Sequence, residues 1–561
     1  MARIPGRTGS PTAPVATDPI RPPIDNDVSP ARVNDVSPLD MDACERTGSG
    51  VPAVLESYFT PVDEAAKAEL ALLDTVIHAR KNDPKTYPAS ENPYRIQYAV
   101  YNLRSKAIIQ KLFDAVDAGV HVKVLIEGKQ IAPDKPWNKV DDLFEEKGLD
   151  VIYDDRTVDM AERKAASLVG IMSNHLMHLK ARIFDYRDPK TGEQQSMVLS
   201  GSMNPGDGAA TNDENINLIR DDRVVELYKQ KFDDVLEHQR TENQFDVNAS
   251  INVLFTPCKK GPRPIEKLFE WSDAEQELIV LSVFDLKNIV DPASKKNLVE
   301  KLAEAKARGV KVFAITDRKK SDGRNAAGER VRMYGHYASN HWLDEDLEKE
   351  GIPVYEFSNE KTKFSAMHPK AAVFGLENMK VISGAGNWTR AGMGSGNKRG
   401  RNEESFIFID SGKLDDNRTG RRYLANCLHL LRKYDGQDPD HQPAEELISD
   451  LQKLPNWPEV SVEVGSLAPP DFDGKVFLVG EHASLKGRAG EPGLRLNEVS
   501  GPLAARLQPE LKLPFGTEID YRLTDAQGAD IPQANAGATL LIVPKGDAPN
   551  FPVAPGDTDD Q

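Results

Sequence analysis

Between about residues 51 and 435 the spacing of apolar positions changes in a fixed order, and that order occurs twice. RIQYAVYNL (95–103) alternates as a strand does, AIIQKLFDAVDAG (107–119) has helical spacing closed by Gly119, and VHVKVLIE (120–127) returns to strand. Further on, QELIVLSVFDL (276–286) is apolar throughout, as a buried strand is. KKNLVEKLAEAKARG (295–309) reads as a helix ending at Gly309, and VKVFAIT (310–316) as the next strand. DAGVHVKVLI and ARGVKVFAIT match almost position for position, and YFTP (58–61) and LFTP (254–257) open the two copies. In the first opening, Thr60 and Pro61 read as helix N-cap and first-turn residues, with Asp63 and Glu64 just inside. The stripe Leu70, Leu73, Val76 and Ile77 then continues that helix. Strand, helix and strand in alternation predict a parallel or mixed sheet covered by helices, built twice, as α/β halves over 51–245 and 246–435.

From about Pro455 the pattern shortens. KVFLVGEH, LRLNEV, ARLQPELKL, TEIDYRL and TLLIVP alternate over a few residues each, between Gly, Pro and Asp. They predict a C-terminal all-β sandwich-like domain at 458–548, reached through a linker at 436–457. VFLVGEHASL followed by LPFGTEIDYRLTD resembles starch-binding-type carbohydrate modules, which implies a glycan ligand; a structural or interaction domain fits the same pattern. Residues 1–50, rich in Pro, Asp, Ser and Thr, and residues 549–561 read as disordered tails, because they offer too little apolar surface to offset ordering.

Composition narrows the function only in part. A chain of 561 residues exceeds one ordinary core, and a net charge of -17 disfavours broad attraction to polyanions. Against that background DRKKSDGRNAAGERVR (317–332) and TRAGMGSGNKRGR (389–401) are locally basic. Cys44, Cys258 and Cys427 lie far apart with no CxxC spacing, so neither a disulfide framework nor a zinc knuckle is expected. No apolar run reaches the roughly 18 residues of a membrane span, and the N-terminus lacks the apolar centre of a secretory signal. Cytoplasmic residence is the default expectation, with export by a signal-independent route left open.

The chemistry lies in a second repeated element. HLKARIFD (178–185) is followed by GSMN (201–204), and HPKAAVFG (368–375) by GAGN (384–387). On a strand, residues two apart share a face, so His178 projects with Lys180 and His368 with Lys370. The small-residue turns bring Asn204 and Asn387 beside their own His-Lys pairs, while Gly201, Ser202, Gly384, Ala385 and Gly386 leave room for an anionic oxygen. Glu214 and Glu404 open the following strands, placed to stand behind an imidazole and fix its tautomer. Two His, two Lys and two Asn suit phosphoryl transfer: lysines neutralise phosphate oxygens, asparagines donate to growing charge, one imidazole attacks and the other supplies a proton. His175, three residues before His178, completes no metal set and reads as structural or supporting.

His178, Lys180, Asp185, Gly201, Ser202, Asn204 and Glu214 resemble the HKD motif of the phospholipase D superfamily, and His368, Lys370, Gly384, Asn387 and Glu404 its second copy. The resemblance spans roughly 55–410. It implies duplicated α-β-α sandwich halves with the site at their interface, no metal or other cofactor, and phosphodiester cleavage through a phosphohistidine. Three departures stand out: Gly375 where the motif has Asp, Ala385 where it has Ser, and 15 residues between Asp185 and Gly201, with DPKTGEQ expected as a long hairpin turn. The completeness of the first copy favours His178 as nucleophile and His368 as general acid. Asp185, Ser202, Gly201 and Gly384 are expected to line the substrate. The expected function is hydrolysis of phospholipid headgroups by a monomer touching a membrane surface, without obligate nucleic acid. A nuclease in defence or as a toxin, or a degenerate binding protein, are the alternatives.

Overall fold

The computed structural model describes residues 53–462 except 62, 64, 89–90, 133–137, 173–174, 207–210, 322–326, 328–342, 363–364 and 396–398. Beyond these it describes 465–466, 476–480, 494–498, 505–507, 511–524 and 539–541. The expectations for both tails, for Cys44, for most of the first basic stretch and for residues 396–398 of the second fall outside the described residues.

The first half runs β1 (Leu55–Thr60), α1 (Ala65–Lys81), β2 (Arg95–Val100), α2 (Lys106–Asp117), β3 (His121–Glu127), α3 (Val140–Glu146) and β4 (Val151–Asp154). It continues through α4 (Met160–Ala165), β5 (Leu168–Ile171), β6 (Lys180–Arg187), β7 (Gln194–Gly201), β8 (Glu214–Ile219) and α5 (Asp222–Leu236), with a short β9 (Thr241–Glu242). The second half repeats the plan with β10 (Ile251–Thr256), β11 (Cys258–Lys260), α6 (Pro264–Ala274), β12 (Leu278–Val283), α7 (Leu298–Ala307) and β13 (Lys311–Asp317). After α8 (Arg318–Ser321), α9 (Leu343–Lys349) and β14 (Val354–Phe357) come β15 (Lys370–Phe374), β16 (Lys380–Gly384), β17 (Glu404–Asp410), α10 (Ser411–Asp415) and α11 (Arg418–Lys433).

The two sheets have matching orders, β1-β8-β7-β6-β2-β3-β5-β4 and β10-β17-β16-β15-β12-β13-β14. In each, the β-α-β unit pairs in parallel (β2 with β3, β12 with β13), and the motif strands add antiparallel. Local chemistry agrees with this plan. Ser105 caps α2, Asn297 and Glu300 form a capping box on α7, and Gly119 and Gly309 take φ of +84° and +96° just past the two helices.

Strand alternation divides the core into layers. Ile96, Tyr98 and Val100 of β2 face an outer cluster with α1 and α2, whereas Ala99 faces a central cluster shared by both halves. Phe313 and Ile315 of β13 join that central cluster, with Tyr228 and Phe232 of α5 and Leu424 and Leu428 of α11; Val312 and Ala314 face α6 and α7. The result is the expected duplicated α/β sandwich, with two sheets facing one another across a common core.

Local expectations change at Thr60, at Asp63 and over 436–457. Thr60 does not cap a helix: it ends β1, opposite Glu214 across the ladder, before a cis-proline; Thr256 stands opposite Glu404 in the same way. A threonine before Pro and an acidic residue fits a cap locally, but pairing with β8 holds it extended, and α1 starts only at Ala65. Asp63 instead accepts from the Phe59 N–H at 2.8 Å and pairs with Arg422. The stretch 436–457, expected as a linker, carries α12 (Ala444–Leu451), whose Leu447, Ile448 and Leu451 enter the central cluster.

Past α12 the described strands are β18 (Glu459–Val462), β19 (Gly465–Ser466), β20 (Val476–Gly480), β21 (Leu494–Glu498), β22 (Ala505–Leu507), β23 (Leu511–Pro514), β24 (Glu518–Thr524) and β25 (Thr539–Leu541). They pair antiparallel, β18 with β23 and the others in a six-stranded sheet. This segment is not detached: Leu513 and Phe515, together with Trp457, are buried in the central cluster. Cys258 and Cys427 are free and buried, and among the described residues no helix is long and apolar enough to cross a membrane.

Candidate active site

The residues ahead of β6 and β15 are stitched to the opposite half. The His178 N–H donates to the Glu403 carbonyl at 3.0 Å, and the Glu403 N–H returns to Leu176 at 2.8 Å. The His368 N–H likewise donates to Asp213 at 2.9 Å, and the Asp213 N–H to Ala366 at 3.1 Å. Each histidine therefore sits where the two sheets meet, and both are buried.

The carboxylates behind the imidazoles are exchanged between halves. His178 Nδ1 lies 2.7 Å from Glu404 Oε2, and His368 Nδ1 lies 2.7 Å from Glu214 Oε2. On the other side of each ring the lysine of the same motif approaches Nε2, Lys180 to His178 and Lys370 to His368, both at 3.0 Å. An ammonium has no acceptor, so with the lysines charged each Nε2 offers its lone pair and each Nδ1 carries the proton toward its glutamate. In that state the lone pair of each Nε2 faces the neighbouring ammonium. The amide oxygens of Asn204 and Asn387 are buried with no hydrogen-bond partner among the described residues.

Supporting groups not anticipated from sequence complete each side. Glu127 Oε2 accepts from the Met177 N–H at 2.6 Å, and Asp317 Oδ2 from the Met367 N–H at 2.9 Å, so the acid closing β3 or β13 holds the residue before each histidine. Glu127 is the end of VHVKVLIE and Asp317 the residue just past VKVFAIT, but the pattern gave them no partner. Tyr101 packs edge-on against His178 at 5.1 Å, and Phe284 against His368 at 4.6 Å.

Four residues expected to line the substrate have close neighbours within the fold. Ser202 Oγ donates to Glu214 Oε2 at 2.6 Å, so it holds the carboxylate behind His368; Ala385 leaves Glu404 without the equivalent bond, and Asn402 donates to Glu404 at 3.2 Å. Gly201 and Gly384 admit a neighbouring strand. A Cβ there would lie 2.2 Å from the Asn215 or Ser405 carbonyl, and the next N–H groups donate to those same carbonyls. Asp185 is five residues along β6 from Lys180, about 17 Å at strand rise, and pairs with Lys229 of α5 and with Ser196. It ties the β6–β7 hairpin to a helix. The second copy needs no such acid: Gly375 takes φ +75° directly after β15, where a shorter hairpin turns. In the first copy β6 and β7 run on to Arg187 and Gln194, which accounts for the long spacing.

Burial sets the electrostatics. It holds both imidazoles below their usual range, His368 at about 4, against the pull of the glutamates. Burial also lowers Lys180 to about 7 and Lys370 to about 8, with Glu404 and Glu214 respectively opposing most strongly. Although burial would raise Glu214, the charge and hydrogen bond of His368, then Lys370 and Ser202, keep it below its ordinary value. Asp317, by contrast, is pushed up to about 7 by burial.

A pH dependence follows with a definite sign. The lysines are cationic below about 7 and 8 and neutral above, so kcat/KM toward a non-ionising diester should fall as pH rises through that window. Lys180→Arg and Lys370→Arg keep their charge at higher pH and should move the alkaline limb upward in whatever activity remains. An alkaline limb unmoved in both variants would assign it to another group.

The geometry agrees with the comparisons. A family model described as "Cardiolipin synthase, PLD-like domain" matches residues 89–236 and 272–418, one segment per half. No curated protein matches the chain. Among solved structures, phosphatidylserine synthase from Haemophilus influenzae aligns at 12% identity over 71% of this chain and 92% of its own, with TM-score 0.44. Polyphosphate kinase from Porphyromonas gingivalis aligns at 14% identity and TM-score 0.42 over 71% of this chain, which spans about half (53%) of that longer one. The phospholipase D family member Nuc from Salmonella typhimurium aligns at 16% identity over 31% of this chain and 89% of its own, with TM-score 0.22. With two matched segments covering more than half its length, the chain belongs to the phospholipase D-like family, as a two-motif member.

Proposed function

We propose that the protein hydrolyses phospholipid headgroups through a phosphohistidine on His178. The crossed contacts carry this reading: each imidazole has a glutamate of the other half at 2.7 Å on Nδ1 and a lysine at 3.0 Å on Nε2. His178 Nε2 attacks phosphorus, the bond from phosphorus to the headgroup oxygen breaks, and His368, which enters this step as the imidazolium after taking a proton on Nε2 when the anionic substrate binds, gives that oxygen its proton. A phosphatidyl group is left on His178. His368 then takes a proton from water, the resulting hydroxide attacks phosphorus, and the P–N bond breaks to release phosphatidic acid and free His178. Lys180 and Lys370 neutralise the non-bridging oxygens, with the amide donors of Asn204 and Asn387 beside them. Completeness of the first motif supports His178 as the nucleophile, and a phospholipid substrate brings the protein to a lipid surface.

Two lysines supply the charge that a metal would otherwise bring, and among the described residues no His, Cys, Asp and Glu cluster could hold one. Turnover is therefore expected to survive exhaustive chelation. The test is purified full-length protein in EDTA with mixed phospholipid vesicles and, separately, single- and double-stranded DNA. Phosphatidic acid and free headgroup are the expected products. DNA cleavage without lipid turnover would make the protein a nuclease, and activity restored only by zinc or magnesium would overturn the metal-free chemistry.

A further inference from the structure

The two halves match at the reacting groups but differ one layer behind them. In the first half Arg182, two residues past Lys180 on β6, is fully buried with Glu69 of α1, its Nε 3.1 Å from Glu69 Oε1. Tyr98 Oη donates to the same oxygen at 2.8 Å. Arg182 Nη1 reaches two main-chain carbonyls, that of Met203 at 2.8 Å and that of Lys180 at 3.1 Å. Those carbonyls belong to the residue just before Asn204 and to the motif lysine itself. One guanidinium thus ties the strand carrying Lys180 to the turn carrying Asn204.

The second half has Ala372 at the corresponding position of β15, and its layer is apolar, with Leu268, Phe406 and Trp388. There the turn is fixed by contact, for a Cβ on Gly386 would lie 2.0 Å from the Phe406 ring. The same task is met by packing in one half and by a buried ion pair in the other. Stability does not account for the pair. A buried pair recovers its desolvation cost only with complete hydrogen bonding, and here Glu69 Oε2 and Arg182 Nη2 have no hydrogen-bond partner among the described residues. Apolar replacement of such pairs is often neutral or stabilising.

We propose that Arg182, anchored by Glu69, is a positioning residue that sets Lys180 and Asn204 against the phosphoryl group. The proposal rests on the phosphodiesterase reading and on the register that these two carbonyl contacts fix. The decisive variant replaces the pair together, Arg182→Met with Glu69→Met, in the full chain. Its melting temperature should stay at or above that of the parent. Its kcat for bis(p-nitrophenyl) phosphate should fall about 100-fold, the scale of a misplacement near 1 Å, with KM changed little. Orthovanadate affinity, measured by calorimetry, should fall about tenfold or more, because the same donors hold the anion.

Arg182→Lys keeps the charge but not the fork, and should show a smaller loss of kcat, about tenfold, at parental melting temperature. A folded double variant with parental kcat and parental vanadate affinity overturns the proposal. If the double variant does not fold, Arg182→Lys with parental kcat and vanadate affinity does so. Should the parent itself turn over no diester, the phosphodiesterase reading fails. Vanadate affinity then decides the positioning role by itself: weaker binding in the variants upholds it, and unchanged binding removes it.

Discussion

His178→Ala and His368→Ala should each lower turnover of phospholipid and soluble diester by about 10⁴-fold or more, because nucleophile and acid act as one unit. Combining them should cost little beyond either alone, since no partial mechanism is left for the second change to damage. Both side chains are buried at the junction of the sheets, so each variant needs a melting curve alongside its kinetics. Rapid quench with labelled lipid separates the roles. Label should appear on His178 in an acid-labile bond, and His368→Ala should form that adduct slowly for want of a proton donor. Label on His368 would reverse the assignment. Because the carboxylates are exchanged, Glu404→Gln should impair adduct formation through His178 and Glu214→Gln protonation through His368. Parental turnover in either histidine variant would end the two-motif site.

What the sequence made legible was whatever repeats locally. The β-α-β units, both His-Lys pairs and both asparagines could be read from period and spacing, since strand and helix periods depend on near neighbours. The exchange of glutamates could not, because the two contacts span 226 and 154 residues and exist only once the halves face each other. Spacing alone would equally have allowed each glutamate its own histidine. The strand contacts of Gly201 and Gly384 were hidden for a related reason: closeness to a neighbouring strand and closeness to a phosphate leave the same small residue. Thr60 shows local chemistry overruled by a ladder, for its cap signature is sound until β8 pairs with it. The helix Ala444–Leu451 has helical spacing at Leu447, Ile448 and Leu451, but it follows directly on GQDPDHQP (436–443), a stretch of turn-forming residues.

A chain ending at residue 455 should lose activity on soluble diesters and on vesicles alike, although it keeps both halves, 51–245 and 246–435, read from the sequence. Such a chain lacks Trp457, Leu513 and Phe515, all buried in the central cluster against α11 and α12. Three large apolar side chains are worth about 5–9 kcal/mol of burial at roughly 1.5–3 kcal/mol each, comparable with the roughly 5–15 kcal/mol that keeps a domain folded. Hydrogen bonds go with them: Trp457 Nε1 donates to the Phe515 carbonyl at 2.9 Å, and Arg432 Nη2 to the Gly516 carbonyl at 2.7 Å. The loss bears directly on the site. The same end of the chain carries Lys433 and Tyr434, which hold the Asp213 carboxylate, and the Asp213 carbonyl receives the His368 N–H. Loosening α11 therefore loosens the proposed acid. A chain ending at residue 541 keeps every described contact of this kind and should retain soluble-diester activity. Phe515→Asp in the full chain should reproduce the truncation, because it puts a carboxylate into the apolar central cluster beside Trp457. Near-parental turnover by the 455-residue chain would show that the β-rich segment is separable after all, and that its contacts with α11 contribute nothing the site requires.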